Sequence, residues 1–212
     1  MFNENSFSFI GECGIVPPPR IVGGSEATAY SLPWQVALVR SGGNQPFCGG
    51  ILIGPKHVLT AAHCTGAYGG NWDIIVGEHE TTDTSDGTRH TKCRATNHPD
   101  YNSPVQLNND FAIVHLTEAV EIGVRAVPAC LPPRNLGGNF LDDKILTVSG
   151  WGTLAPGGST PNVLHVVNVP GVSNAACNQA YGNGRITNEM LCAGNTLSGG
   201  VDACQGDSGG IL

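Results

Sequence analysis

Three short segments of the chain carry side chains able to act on one another. LTAAHC places His63 directly after an apolar run, between small alanines and a cysteine. NNDFAIVHL places Asp110 at the entrance of an apolar strand, and GDSGG places Ser208 on a glycine-flanked turn. A serine hydroxyl is a poor nucleophile until a base takes its proton. Histidine suits that task because its reference pKa of about 6.5 lies near neutrality. The imidazole in turn needs a carboxylate on its other nitrogen, which fixes the tautomer and stabilises the imidazolium. An aspartate drawn toward FAIVHL is costly to bury unless it finds such a partner. The glycines let the backbone N–H groups of Gly206 and Ser208 converge on a developing oxyanion.

Each segment alone has a plainer reading. A histidine beside a cysteine is often structural, an aspartate before a strand is often a turn residue, and Asp-Ser-Gly-Gly is often only a loop. His57, His79, His90, His98, His115 and His165 lack any comparable setting and read as surface or packing residues. Order separates the possible chemistries. GDSGG also fits the G-x-S-x-G elbow of α/β-hydrolases, but there the acid and the histidine follow the serine. In this sequence both precede it, and no βαβ alternation leads up to it.

The elements that must position these residues read as strands. Glycine, at 30 of 212 residues, is about twice its usual share. Charged residues, at 13%, are about half theirs. Such a chain makes many tight turns and few solvated helix faces. WQVALVR (34–40), GILIG (50–54), HVLT (57–60), WDIIVG (72–77), DFAIVHL (110–116), KILTVSG (144–150) and VLHVVNV (163–169) are predicted strands. SGGN, SDG, PGG and NG punctuate them. The Pro- and Gly-rich run 118–138 reads as a link between two halves. Many short strands joined by such turns indicate sandwiches or barrels.

Composition also bounds the partners. The net charge is −7, with ten Lys and Arg and no basic run, which argues against nucleic acid. No apolar stretch approaches membrane-spanning length. Eight cysteines point to an oxidising, extracellular compartment. MFNENSFSFIGEC has no basic start and only a very short apolar part, so it does not read as a signal peptide. GIVPPPR, which follows, is expected to be extended and exposed.

Taken together, RIVGG (20–24), PWQVAL (33–38), CGGILI (48–53), LTAAHC (59–64), NNDFAIVHL (108–116), VSGWG (148–152) and DACQGDSGG (202–210) resemble the chymotrypsin/trypsin family of serine endopeptidases. The resemblance implies an all-β fold of two barrels with the active site between them. It divides the chain into a pro-segment 1–20, a first barrel 21–118, a linker 119–133 and a second barrel 134–212. It makes His63 the general base, Asp110 its orienting acid and Ser208 the nucleophile, with Gly206 and Ser208 as the oxyanion hole. Cleavage after Arg20, by a trypsin-like protease or by the protein itself, would free the amine of Ile21. That amine would be buried and would need a counter-charge, which the resemblance assigns to Asp207. Asp202 would floor the specificity pocket and select substrates with Arg or Lys, since an apolar side chain would leave it buried and unpaired.

The resemblance pairs Cys48 with Cys64, Cys177 with Cys192 and Cys13 with Cys130. The first two close loops of about fifteen residues, worth roughly 3 kcal/mol each in the chain-entropy picture. Cys93 and Cys204 have no assigned partner, and Leu146 and Ile211 stand where the family often has cysteine and proline. No cofactor is expected. The acidic loop 77–87 resembles the calcium loop of trypsins, with Glu78, Glu80, Asp83 and Asp86 as candidate ligands. A late acidic ligand is replaced there by Thr88 or Arg89, so a solvated acidic loop is the preferred reading. The second barrel is expected to be incomplete at Leu212, which would leave KILTVSG and VLHVVNV facing water and this chain itself inactive. The alternative to a protease is an inactive fragment or a non-catalytic homologue acting as a binding protein. Such homologues usually lose a triad residue, and this sequence keeps all three.

Overall fold

A computed structural model describes residues 13–14, 25–133, 140, 142, 144–154, 157–182, 184–194 and 207–210. The elements are β1 (Ser25–Glu26), β2 (Gln35–Arg40), β3 (Pro46–Gly54), β4 (His57–Thr60), α1 (Ala62–Thr65), β5 (Trp72–Val76), β6 (Thr88–His90), β7 (Arg94–Asn97), β8 (Ala112–His115), β9 (Ile145–Gly150), β10 (His165–Val172), α2 (Asn174–Tyr181) and β11 (Cys192–Ala193). The fold is all-β with two sheets. Strands β2 to β8 form one antiparallel sheet in the order β6-β5-β2-β3-β4-β8-β7. In the other, β10 is paired with β1, β9 and β11. Ser25–Glu26 lies within the segment expected for the first barrel, yet it pairs with His165 and Val166 of the second sheet.

β2 explains why the two sheets meet. QVALVR lacks polar alternation because both of its faces are covered. Successive strand residues point to opposite faces. Val36 and Leu38 enter a core with Leu52, Val58, Ile74 and Val114, while Ala37 and Val39 pack with Ile75, Trp151, Leu164 and Val166. One strand therefore serves two cores. Each fully buried Val or Leu contributes about 1.5–3 kcal/mol. Backbone bonds sew the same seam: Leu164 N–H donates to His79 O at 2.9 Å, and Thr81 N–H to Asn162 O at 2.8 Å.

All seven predicted strands occur within about four residues of their expected bounds. β6 and β7 escape the pattern because TRH and RATN are short and polar, and are held by pairing to β5 and β8 rather than by burial. α2 was signalled only by Ser173, whose hydroxyl accepts from Ala176 N–H as an N-cap. The expected exposure of the second-sheet strands is corrected by the structure: Leu146, Val148, Val166 and Val169 are buried. They face a small core of their own and the outer face of β2. Cys13–Cys130, Cys48–Cys64 and Cys177–Cys192 are bridged, and Cys93 is free. Among the described residues, no helix is long and apolar enough to cross a membrane.

Candidate active site

His63 rides on α1, one turn placed directly after β4. Ala62 and Cys64 are buried on either side of it, and the Cys48–Cys64 bridge ties the turn to β3. The imidazole itself stays partly exposed. Asp110 sits just before β8, the strand hydrogen-bonded to β4. The two strands thus deliver an imidazole and a carboxylate to the same end of one ladder. Asp110 Oδ2 lies 2.6 Å from His63 Nδ1, and Oδ1 accepts the backbone N–H of His63 at 2.9 Å. With Nδ1–H donating to the acid, Nε2 is left with its lone pair, the form required of a base. Tyr101 is close enough that the Asp110 charge, after burial, helps push its phenol pKa up.

The Ser208 turn comes from the other end of the chain and docks on the first sheet by close backbone approach. Gly49 N–H donates to Ser208 O at 2.7 Å, and Gly210 N–H to Asp207 O at 2.9 Å. Gly209 has φ +78°, and a Cβ there would overlap Thr60 Oγ1, Gly49 O and Ala61 N. Only glycine meets both conditions. Cys64 Sγ lies 3.5 Å from His63 Nε2 and 3.7 Å from Ser208 O, so the turn and the imidazole flank the same sulfur. The Ser208 hydroxyl is not hydrogen-bonded to the ring, a contact that tightens in many enzymes only when substrate binds.

Asp207 faces away from this surface, into the second sheet. Its Oδ1 accepts Gly152 N–H at 2.7 Å, and a Cβ on either Gly150 or Gly152 would overlap its carboxylate. VSGWG therefore forms a glycine cradle for this acid. Arg20, Ile21, Asp202, Cys204 and Gly206 lie outside the described residues.

Sequence reasoning missed the supports beneath the turn. Buried Gln35 of β2 accepts a hydrogen bond from buried Ser149 Oγ of β9 at 2.8 Å. Thr60 Oγ1 donates to Gly49 O at 2.7 Å. Asn108, buried, donates to Ser103 O at 2.6 Å and accepts from Thr187 Oγ1, tying the loop before Asp110 to the second half of the chain. A polar residue inside an apolar strand, as Gln35 is in WQVALVR, was the available signal.

The acidic loop 77–87 is organised around buried Asp86. Its Oδ2 accepts His79 N–H and Glu80 N–H at 2.9 and 2.8 Å, and its Oδ1 accepts the Tyr30 hydroxyl at 2.7 Å. Arg125 Nη1 stands 3.8 Å from Oδ1, and its guanidinium lies 4.7 Å from the Tyr30 ring centroid. Glu80 accepts from Thr82, and Asp83 from Ser85. Arg89, one of the two residues read as replacing a late acidic ligand, pairs with Asp73 at 3.0 Å. Glu78 Oε1 is buried without a partner. Burial, then the Asp86 charge, pushes the Glu78 carboxyl up to about 7. Among the described residues, the single group of three or more such side chains with metal-ligand spacing is Cys48, His63 and Cys64, whose two sulfurs are joined to each other and cannot ligate.

Residues 21–212 match the family described as Trypsin. The chain belongs to the trypsin family. It is 38% identical to a trypsin of Phaedon cochleariae, over 92% of this chain and 74% of that protein. It is 39% identical to alkaline trypsin A of Manduca sexta, over 92% of this chain and 77% of that protein. A venom serine protease of Polistes dominula is 37% identical, over 95% of this chain and 72% of that protein. Among solved structures, neuropsin, a serine protease expressed in the limbic system of mouse brain, superposes with a TM-score of 0.71. That match is 33% identical and covers 87% of this chain and 78% of the other. Family membership supports a serine protease acting on protein substrates, and the His63–Asp110 pair stands where such chemistry needs it.

Proposed function

We propose that the protein is a secreted serine endopeptidase that hydrolyses peptide bonds after Arg or Lys and is activated by cleavage after Arg20. The observation that carries the reading is the His63–Asp110 contact at 2.6 Å, with the Ser208 turn docked beside it. His63 Nε2 takes the Ser208 proton as Oγ attacks the scissile carbonyl. The tetrahedral oxyanion is held by the N–H groups of Gly206 and Ser208. His63 then returns the proton to the leaving amine, and the acyl-enzyme forms. Water repeats the sequence to release the acid. Asp110 holds the imidazole and stabilises its charged form without itself being protonated.

Asp202 is assigned to the specificity pocket and Ile21 to the Asp207 cradle by family resemblance. The trypsins among its relatives support an Arg or Lys preference. The glycine cradle around Asp207 is compatible with an acid held inside the second sheet to receive an amine. Since Arg20 offers an Arg bond, the protein can activate itself or be activated by another trypsin-like protease. No calcium is assigned to loop 77–87. Calcium takes six to eight oxygen ligands, and here the Asp86 oxygens are engaged by N–H, hydroxyl and guanidinium groups. A non-catalytic binding role is not favoured, because all three triad residues are present.

The test uses the protein cut after Arg20, with peptide substrates ending in Arg, Lys, Phe or Leu. Arg and Lys substrates are expected to be cleaved and Ser208→Ala to abolish it with folding intact. A preference for Phe or Leu overturns the assignment of Asp202. Wild-type turnover by Ser208→Ala overturns the nucleophile. Normal activation of an Arg20→Gln protein overturns the activation site.

A further inference from the structure

β4 and β8, the strands that deliver His63 and Asp110, carry a second pair of histidines at the opposite end of their ladder. The register runs His57↔His115, Val58↔Val114, Leu59↔Ile113 and Thr60↔Ala112. Val58 and Val114 point into the core, so His57 and His115 stand on the outer face, and both are exposed. Their ring centroids are 5.4 Å apart with planes at 80°. His115 Nε2 lies 3.4 Å from Thr96 Oγ1 on the neighbouring strand β7. A ligating histidine is usually held in this way by a polar group on its other nitrogen. That leaves His115 Nδ1 available.

We infer that His57 and His115 form a surface site for a divalent transition cation, such as zinc or copper, that clips β4 to β8. Imidazole suits these ions, with metal–nitrogen bonds of about 2.0–2.1 Å. Directly opposed strand residues have Cβ atoms only about 4.5–5.5 Å apart, within reach of one shared ion. Exposed rings turn to meet it, and water completes the coordination. The neighbours select the class of ion. Arg94 stands opposite His115 on β7, and Lys56 precedes His57, with its ammonium on Thr117 O at 3.3 Å. Two neighbouring positively charged residues disfavour any cation held only by electrostatics. Calcium and magnesium, which take oxygen ligands, find none in this imidazole pair, so an ion bonding firmly to nitrogen is favoured.

The consequence follows from position. His63 lies three residues beyond Thr60, and Asp110 two residues before Ala112. A clip at the far end of the ladder would hold together the two strands whose spacing sets the His63–Asp110 contact. The inference does not depend on proteolytic activity.

The experiment uses the full chain, stripped with a chelator and titrated at pH 7.5 with zinc, copper or calcium chloride by calorimetry and thermal melting. One equivalent of zinc or copper is expected to bind in the micromolar range and to raise the melting temperature by a few degrees, while calcium does neither. His57→Gln and His115→Gln should each weaken binding by about tenfold or more, whereas His98→Gln should not. On the unaltered chain, saturating zinc should protect His57 and His115 from diethyl pyrocarbonate, read by peptide mass spectrometry. Absence of zinc and copper binding, undiminished binding in both pair variants, or unprotected rings at saturation would each overturn the site.

Discussion

The hydroxyl of Ser149 donates to the side-chain carbonyl of Gln35 at 2.8 Å, joining β9 of one sheet to β2 of the other where neither atom meets water. Gly210 packs against both supports: a Cβ there would overlap Ser149 O, with Gln35 Nε2 in contact behind it. The bond therefore lies under the Ser208 turn. Gln35→Leu keeps the bulk but strands a buried hydroxyl, at a cost of about 1–3 kcal/mol. Replacing both partners, Gln35→Leu with Ser149→Ala, should recover part of that loss. Urea denaturation of the two singles and the double closes the cycle, and strict additivity would mean that the pair is not coupled.

Gly209→Ala should be worse than its one methyl suggests. The backbone there is left-handed at φ +78°, and the new Cβ would run into Thr60, Gly49 and Ala61. Strain of this kind costs about 1–3 kcal/mol before any overlap is relieved. The turn should lift off the first sheet. A serine-directed irreversible inhibitor should then label Ser208 far more slowly than in the parent protein, while the first-sheet core still melts cooperatively. Equal labelling rates would show that the close approach is not what sets the turn.

How much of this was legible beforehand follows from what each signal rests on. The strands of the first sheet were readable because their burial is local to the strand, as in HVLT and WDIIV. The His63, Asp110 and Ser208 segments were readable because each pairs a reactive side chain with small or turn-forming neighbours. What escaped depends on partners distant in sequence. TRH and RATN become strands only because β5 and β8 offer them free edges. Gln35 looks like an interruption of an apolar run until Ser149 arrives from 114 residues away. The Ser25–Glu26 crossover to the second sheet has no composition signal at all. The expected exposure of KILTVSG and VLHVVNV, drawn from a second barrel incomplete at Leu212, failed for a related reason: the outer face of β2, more than a hundred residues away in sequence, covers part of them.

Asp110→Asn should separate positioning from presence. The carboxylate accepts two N–H groups of His63, one from the backbone and one from Nδ1. An asparagine can accept on its oxygen only. Its NH₂ then faces a donor, or turns the imidazole to the tautomer with the proton on Nε2, which cannot act as base. Turnover of an Arg substrate should fall about 10⁴-fold, with little change in KM. A fall of less than tenfold would remove Asp110 from the mechanism.

Glu78 should give the protein an unusual pH dependence. Its carboxyl is buried with one oxygen unpartnered and is pushed up to about 7, first by burial and then by Asp86. The unfolded chain releases that proton near the ordinary glutamate value of about 4.3. Between these two values the native state binds more protons than the unfolded state, so this group makes stability fall as pH rises. The contribution is fully present below the unfolded value and lost once pH passes about 7. At about 1.4 kcal/mol per unit, it amounts to a few kcal/mol. His90 works in the opposite sense: burial pushes its imidazole pKa down, so acid destabilises it. The comparison with Glu78→Gln isolates the glutamate. The variant should match the parent at about pH 4 and be the more stable protein at pH 8, with the difference opening between. Calcium should leave both melting curves in place. Parallel pH profiles for the two proteins would mean that Glu78 is ionised in the folded state at no cost. Stabilisation of the parent alone by calcium would mean that its free oxygen serves a metal after all.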